Sequence, residues 1–288
     1  LEWQKTLDRN IGLDLVVFNN RLRVNFDYFS KKTDPLLVYT GVPSSTGGTS
    51  VPANVGGQVT KGYTVVLNYA LLKKEHLLWQ VNATLRHLTS EYRNVSSCLS
   101  RFNDENKTKN MLRYYDGGSP SDLWAVRSAG IDAATGREIF LHKDGTQSFA
   151  YNVEDEVVVG NSDPKLEGVV GMSFYYKGFS CNFYWRYSFG ADAFNRTVYS
   201  KVENISKESL KQNQDKRALY DRWKEPGNGA KYKGISLTEN TPISSRFVQK
   251  NNYLILESVR VAYEFSPEWM QKIHFSGMTV SAYMNDIC

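Results

Sequence analysis

The sequence predicts an all-β, antiparallel transmembrane β-barrel, and three observations favour this fold. About eight segments alternate apolar and polar residues with a period of two, which is typical of β-strands. These segments exceed the mean soluble strand of about 5–6 residues and reach the roughly 9–11 that a tilted membrane strand needs. The connections alternate strictly between short and long, as the periplasmic turns and extracellular loops of outer-membrane barrels do.

Four of the predicted strands form two hairpins near the start of the chain. They span residues 3–18, 21–33, 60–73 and 77–93. Asn19-Asn20 suits the positive φ angles of a two-residue turn in the first hairpin, and residues 74–76 form a short charged turn in the second. Residues 34–59 are rich in Pro, Gly, Ser and Thr and are predicted to form a long loop.

The most aromatic hairpin is predicted over residues 165–191, with Lys177-Gly178 as its tight reversal. The long connection before it contains a smaller hairpin with Lys143-Asp144-Gly145 at its tip. The long connection after it, residues 192–250, contains a charged segment, KESLKQNQDKRALYDRWK, that is predicted to be helical. Two final strands are expected at about 251–265 and 272–286, joined across Ser266-Pro267-Glu268.

Each predicted strand has one apolar and one polar face. In a barrel, the polar face is expected toward a wet lumen and the apolar face toward lipid. The predicted lumen-facing residues are Arg23, Asp27, Asn68, Asn82, Arg86, Asn182 and Arg186. The predicted lipid-facing or girdle residues are Phe26, Tyr28, Tyr63, Trp79, Phe183, Trp185 and Tyr187. Those expected near strand ends, as interfacial girdles, are Tyr28, Tyr63, Trp79, Phe179, Trp185 and Phe265. A soluble sandwich would turn the same apolar faces inward, so alternation alone leaves both folds open.

Composition and charge narrow the function classes. The mean hydropathy of −0.46 is that of a soluble protein on average, but it does not exclude a barrel, whose loops and half of whose strand residues are polar. No run of 18 apolar residues predicts a transmembrane helix. The net charge is +5 with scattered Lys and Arg, which argues against a nucleic-acid partner.

No motif for catalysis or metal binding is found in the sequence. Cys98, Cys181 and Cys288 share no metal-ligand or redox spacing. His76, His87, His142 and His274 are far apart and belong to no metal or triad motif. The acidic GIDAATG and KDG segments lack the spacing of a calcium loop and are interpreted as turns. The chain is therefore predicted not to be an enzyme, with no catalytic residue, no metal and no cofactor.

Several stretches, in order along nearly the whole chain, resemble one family of transporters. They are LEWQKTLDRNIGLDL, FNNRLRVNFDYFSKKTDPLL, the Ser-Ser-Thr-Gly of the first long loop, WAVRSAGIDAATGREIFLHKDG, GNSDPKLEGVVGMSFYYKGF, ALYDRWKEPG, SSRFVQKNNYLILESVRVAYEFSPEW and VSAYMND. This order resembles the SusC/RagA family, the Bacteroidetes branch of TonB-dependent outer-membrane transporters. The resemblance implies a 22-stranded barrel with a plugged lumen in the bacterial outer membrane.

The resemblance also implies partners. Import of glycans or oligopeptides would be driven by the TonB–ExbB–ExbD complex, with a SusD-like surface lipoprotein at the outer mouth. The chain departs from the family in having about eight strands and no signal peptide, TonB box or plug, and in ending at MNDIC rather than in an aromatic last strand. Residues 1–288 are therefore expected to be a C-terminal barrel part that lacks the plug, the first barrel strands and the last strand, and that reaches TonB through the absent N-terminal part.

Aromatic and polar residues of the long loops are the candidate contacts for substrate or partner. They are Tyr114, Tyr115, Trp124, Tyr220, Arg222 and Trp223. Aromatic faces can stack on sugars or pack on peptide side chains, and Arg supplies directional donors. The other interpretation is that they pack loop against loop or line the SusD-like interface, which is favoured for Trp223 because YDRWKEPG resembles a loop-anchoring feature of the family. Two other functions stay open, a soluble carbohydrate-binding β-sandwich or barrel and a non-transporting outer-membrane barrel.

Overall fold

The computed structural model describes residues 1–42, 45, 47–48, 50–236 and 238–287, with side chains omitted at 40 and 96–98. In chain order the strands are β1 (Thr6–Val17), β2 (Leu22–Thr33), β3 (Leu36–Gly41), β4 (Ser50–Val55), β5 (Gly57–Lys74), β6 (Leu77–Arg93), β7 (Asp122–Ile131), β8 (Glu138–Leu141), β9 (Gln147–Ser148), β10 (Glu156–Asn161), β11 (Leu166–Tyr176), β12 (Phe179–Phe189), β13 (Asp192–Phe194), β14 (Val248–Lys250), β15 (Tyr253–Glu264) and β16 (Thr279–Asn285). The helices are α1 (Ser96–Asn106), α2 (Arg217–Tyr220) and α3 (Pro267–Lys272).

Eight long strands form one antiparallel sheet in the order β1-β2-β5-β6-β11-β12-β15-β16. The order follows the chain once the insertions are skipped, so each strand pairs with its sequence neighbours in this set. The prediction of an all-β, antiparallel fold is thus confirmed. Because the sheet is a meander, the short turns lie at one end and the three long connections at the other.

The short turns follow the predicted positions with two differences. Lys177 and Gly178 both have positive φ and form the predicted two-residue turn between β11 and β12. The β1–β2 turn is longer than predicted, because Phe18, Asn19 and Asn20 are all left-handed and strand pairing resumes only at Leu22.

The last connection corrects a second prediction, since β16 begins at Thr279 and not at 272. Residues 267–272 form α3, where Ser266 accepts a hydrogen bond from the Trp269 amide and Pro267 occupies the first turn. A Ser cap followed by Pro is a helix-start signal, so these residues begin a helix and not a simple strand connection.

The long connections contain more structure than predicted. The first, expected to be a loop, holds the β3–β4 hairpin. The second holds α1 and a four-stranded sheet in the order β10-β7-β8-β9, and the predicted Lys143-Asp144-Gly145 tip joins β8 to β9. The third holds the β13–β14 pair and a π-helix at Val198–Glu203. Its charged segment forms only a 3-10 turn at Ser209–Lys211 and the single-turn α2, because short, solvent-exposed helices are marginal without packing.

Strand register divides the large sheet into two faces. Residues paired across strands lie on the same face, and successive residues of a strand alternate. One paired row runs Arg23, Asn68, Asn82, Gly171, Tyr184 and Ser258, and a second row on the opposite face runs Val24, Leu67, Ala83, Val170, Trp185 and Leu256. All seven residues predicted to face a lumen lie on the first face, and all seven predicted to face lipid lie on the second. A bulge in β5 and another in β15 each insert one extra residue, and on either side of each bulge successive side chains alternate between the two faces.

The apolar face is not covered by protein. Ile11 is 70% exposed, Leu254 64% and Met284 61%. The two buried hydrophobic clusters lie around the long connections instead, one around Val95 and Leu99 and the other around Val202 and Phe247. Across the described ranges, no helix combines the length and apolar character needed to cross a membrane.

Aromatic rows border the apolar face at both ends. Tyr28 and Tyr63 pair with each other near the long connections, and Tyr176 and Phe179 pair near the short turns. Their rows are ten residues apart on β6, which is about 33 Å along the strand and about 25 Å in height at a tilt of roughly 40°. The prediction that Trp185 lies in a girdle near a strand end is wrong, because Trp185 lies in the middle of β12, opposite Val170.

Candidate functional site

Five of the six candidate loop residues lie in a groove, in packed positions or at a loop anchor, and Tyr220 is exposed. Tyr115 and Trp124 form the groove, with ring centroids 4.8 Å apart and planes tilted by 38°. Trp124 lies on β7, where its amide donates to the Met111 carbonyl at 3.1 Å. The two rings line a groove of about 370 Å³ together with Lys107, Lys143, Glu154, Glu156, Val157 and Val158.

Charged groups edge the aromatic groove. Lys107 Nζ lies 2.9 Å from Glu154 Oε1 and 2.9 Å from Asp104 Oδ1. The hydrogen bonds that Lys107 donates to Glu154 and to Asp104 raise the pKa of Lys107 above its ordinary value, so the ammonium stays charged. An aromatic pair beside fixed charges can stack on a sugar ring or pack on a peptide side chain while offering polar partners.

A buried ion pair positions the groove. The Arg113 Nε and Nη2 groups donate to the two carboxylate oxygens of Glu156 at 2.8 and 2.7 Å, and both side chains are buried. Arg113 Nη1 also donates to the carbonyls of Asn110 and Leu112 at 3.0 and 2.7 Å. The pair therefore fixes the segment that precedes Tyr115 against β10, whose residues form the floor of the groove.

Tyr114 points into a hydrophobic core rather than into the groove. Its ring centroid lies 5.1 Å from that of Tyr92 and 5.2 Å from that of Phe102. Its backbone amide and carbonyl are both held at 2.8 Å by the Asn103 side chain. Burial raises the pKa of Tyr114. The contacts support the packing interpretation for this residue.

Arg222 is buried and bound to backbone. Its guanidinium donates to the carbonyls of Ala218 at 3.0 Å, Lys233 at 2.8 Å and Glu203 at 3.2 Å, and also to that of Val202. Burial lowers the pKa of Arg222. The side chain thus ties together parts of the third long connection, and its donors point inward.

Trp223 anchors the third connection on the second. Its Nε1 donates to the Ala133 carbonyl at 2.9 Å, and its ring covers Gly136 so closely that a Cβ there would come within 2.4 Å of it. Its neighbour Tyr220 is 74% exposed. The geometry agrees with the loop-anchoring interpretation of Trp223.

The structure also shows a cavity that the sequence did not predict. It has a volume of about 430 Å³ beside Trp223 and is lined in part by Arg137, Phe149 and Tyr151. The Arg137 guanidinium lies 5.0 Å from the centroid of the Phe149 ring. No local motif links these residues, because strands β8 and β9 bring them together.

A buried charge network joins the second and third connections and was likewise missed. Arg246 Nη2 lies 2.9 Å from Glu138 Oε2 and 2.8 Å from Glu203 Oε1, and Ser244 Oγ donates to Glu138 at 2.6 Å. Burial opposes the charge on Arg246, but the hydrogen bonds with Glu138 and Glu203 outweigh it and raise the pKa of Arg246. Residues more than 100 positions apart are thereby held in one unit.

Within the part of the chain that the structure describes, no group of three or more His, Cys, Asp and Glu side chains is arranged to hold a metal ion. His142 Nδ1 lies 2.6 Å from Asp155 Oδ2, and His87 Nδ1 lies 2.8 Å from the Lys165 carbonyl oxygen. The first contact joins two loop segments and the second joins β6 to the residue before β11, and neither brings a nucleophile to a base.

Comparison with known proteins assigns the fold and the relatives. No protein-family model matches the chain. The chain is 21% identical to TonB-dependent receptor P39 of Formosa agariphila, over 100% of the chain and 32% of that relative. It is 21% identical to TonB-dependent receptor SusC of Bacteroides thetaiotaomicron, over 93% of the chain and 27% of SusC. The solved RagAB peptide transporter superposes with a TM-score of 0.82 at 20% identity, over 100% of this chain and 32% of that one.

Over its whole length the chain is thus similar to part of TonB-dependent receptors P39 and SusC and of the RagAB peptide transporter. The resemblance noted in its sequence is thereby confirmed, and the chain spans about a third of the length of these relatives. The relatives are named as receptors and as a transporter, and the absence of catalysis in this chain stays a prediction. The face assignments and loop candidates stay predictions.

Proposed function

We propose that this chain is a C-terminal part of the barrel wall of a TonB-energised importer in the bacterial outer membrane. The observation that carries the proposal is the eight-stranded sheet, which has one exposed apolar face and all of its long connections at one end. A sheet of this kind is expected where lipid covers one face and a wet lumen meets the other. The fold shared with the RagAB peptide transporter supports the same placement.

The polar face is suited to a lumen. Arg86 lies 3.5 Å from Glu167 on the adjacent strand, and Arg186 pairs with Glu257 across β12 and β15. These ion pairs join neighbouring strands on the polar face, and none of the seven predicted lipid-facing residues on the other face is charged. This division of charge is the one expected of a barrel wall. We place the short turns at the periplasmic side and the long connections outside the cell.

The proposed cargo is an oligomeric nutrient, either a glycan or an oligopeptide. A SusD-like lipoprotein would cover the layer of long connections, and TonB–ExbB–ExbD would act through the rest of the receptor. A plug domain and a TonB box upstream in the gene would distinguish this importer from a barrel that does not transport.

Adjacent residues on opposite faces of β5 test the membrane placement. Leu67 lies on the apolar face near mid-height, and Val66 lies on the polar face. In the full-length receptor in lipid vesicles, we expect Leu67→Arg to lower the free energy of unfolding by about 2–4 kcal/mol, because an Arg at the bilayer midplane costs that much. Val66→Arg is the matched control and should cost much less. Equal losses, or monodisperse behaviour of the receptor in buffer without detergent, would contradict the proposal.

Within this function, we assign Tyr115 and Trp124 to ligand contact. We expect Trp124→Ala in the full-length receptor to weaken substrate binding about tenfold, which corresponds to about 1.4 kcal/mol. Trp269→Ala is the control, because Trp269 stacks on Phe265 in the turn at the opposite end of the sheet. Unchanged uptake and unchanged partner affinity in Trp124→Ala would refute the contact role.

A further inference from the structure

The connection between β15 and β16, residues 265–278, has an apolar surface although it lies at the end of the sheet with the short turns. Trp269 is 48% exposed and Phe275 is 60% exposed, and Ile273 and Met278 are exposed as well. The residues that connect β5 to β6 and β11 to β12 are all polar or glycine. A contiguous exposed apolar surface marks a contact with a membrane or with another molecule.

Ring contacts extend the apolar face of the sheet onto this connection. Tyr263 pairs with Phe179, which belongs to the aromatic row near the short turns. Phe265 lies two residues further along the chain on the same face, and its amide donates to the Met278 carbonyl at 3.0 Å. The Phe265 ring centroid lies 5.0 Å from that of Tyr263, and Trp269 stacks on Phe265 at 5.3 Å with the planes inclined by 25°. Trp269 therefore lies on the apolar side of the sheet.

Helix α3 fixes the position of the Trp269 ring. The Ser266 side chain caps the helix by accepting a hydrogen bond from the Trp269 amide at 3.4 Å. Met270, the next residue, is fully buried, so the helix is held against the protein on that side. Gln271 and Lys272 are exposed. The helix thus presents an aromatic ring and polar groups close together, and with six residues it is far too short to cross a bilayer.

We infer that residues 265–278 anchor the receptor in the headgroup region of the periplasmic leaflet, with the Trp269 ring among the lipids. The ring contacts select lipid as the occupant, because Trp269 continues the surface that lipid covers at Tyr263 and Phe179. A periplasmic protein would have to approach Trp269 from the side that the bilayer fills.

The polar groups of α3 select the depth. A charged group such as that of Lys272 is costly in the hydrocarbon core, whereas Trp is enriched at the boundary between hydrocarbon and water. The headgroup region satisfies both residues. The inference rests on the membrane placement proposed above, but substrate import does not require the anchor.

Quenching of Trp fluorescence by brominated lipids tests the anchor. The full-length receptor is reconstituted in vesicles of dioleoyl phosphatidylcholine that contain phosphatidylcholine brominated either near the headgroup end or near the methyl end of its acyl chains. The emission of Trp269 is the difference between the unmodified receptor and Trp269→Phe. We expect the shallow bromines to quench it at least about twofold more strongly than the deep ones, because the headgroup region lies about 15 Å from the midplane.

Trp185→Phe is the matched control, because Trp185 lies on the same face in the middle of β12. Its emission should be quenched more strongly by the deep bromines. Quenching of Trp185 but not of Trp269 would refute the anchor and leave the proposed function standing, with α3 free to contact a periplasmic protein. Equal depth of the two residues would also overturn the inference. Quenching of neither residue would contradict the membrane placement itself.

Discussion

Removing the carboxylate of Glu156 should loosen the second long connection far more than removing that of Glu154. The Glu156 side chain is 6% exposed, and its partner Arg113 is fully buried. Glu156→Gln would leave a buried guanidinium without its counter-charge, although Arg113 Nη1 would keep its bonds to two backbone carbonyls. Breaking one side of a buried ion pair costs about 3–5 kcal/mol.

Glu154→Gln is the control, because Glu154 lies two positions before Glu156 in sequence but is exposed. The Glu154 side chain is 68% exposed and pairs with Lys107 at 2.9 Å. An exposed pair contributes about 0–1 kcal/mol, so Glu154→Gln should change stability little. The double variant Arg113→Met/Glu156→Leu should recover most of the lost stability, because it removes the buried charge together with its partner.

Hydrogen exchange of the backbone amides in residues 110–126 of the full-length receptor provides the measurement. A loss of 3–5 kcal/mol in Glu156→Gln should speed exchange there by about two to three and a half orders of magnitude, since each 1.4 kcal/mol is a factor of ten. Glu154→Gln should speed it by less than about fivefold. Equal acceleration in the two single variants would refute the reasoning, because burial of the pair would then have no energetic consequence.

Two further predictions concern the long connections. Gly136→Ala should displace the Trp223 ring and make the third connection more sensitive to protease, because the new Cβ would lie 2.4 Å from the ring. Gly145→Ala is the control, because Gly145 also has a positive φ but has no atom near the position of the new Cβ, so this variant adds backbone strain without a ring contact. Equal protease sensitivity in both variants would contradict this ring contact. The hydrogen bond to His142 is the first cause that lowers the pKa of Asp155 below its ordinary 3.8. Stability from this ionised carboxylate is present above about pH 4 and lost as the pH falls through the lowered value. Protease sensitivity of this loop should therefore rise in acid, and Asp155→Asn should remove that pH dependence.

The sequence was sufficient to predict the large sheet because each strand carries its own signal. Alternation places Arg23 and Phe26 on opposite faces wherever the strand pairs, so no distant information is needed. The prediction for residues 272–278 was wrong because Ser266-Pro267 has two local meanings, turn and helix start. The Glu138–Arg246 pair could not be predicted at all. Its members are 108 residues apart, and only the folded long connections bring them together.

The same network decides how the candidate sites relate to each other. β7 carries Trp124 at the aromatic groove, and two residues later Val126 bridges to Ser244 in the third connection. Ser244 in turn donates to Glu138, beside the cavity at Trp223. The groove and the cavity are therefore linked through the Val126–Ser244 bridge and one buried set of hydrogen bonds. Ordering loops on binding costs free energy, and a network already formed in the free protein reduces that cost. Because the sites are joined in this way, we expect a substitution at Glu138 to weaken ligand binding at Trp124, although Glu138 does not line the aromatic groove.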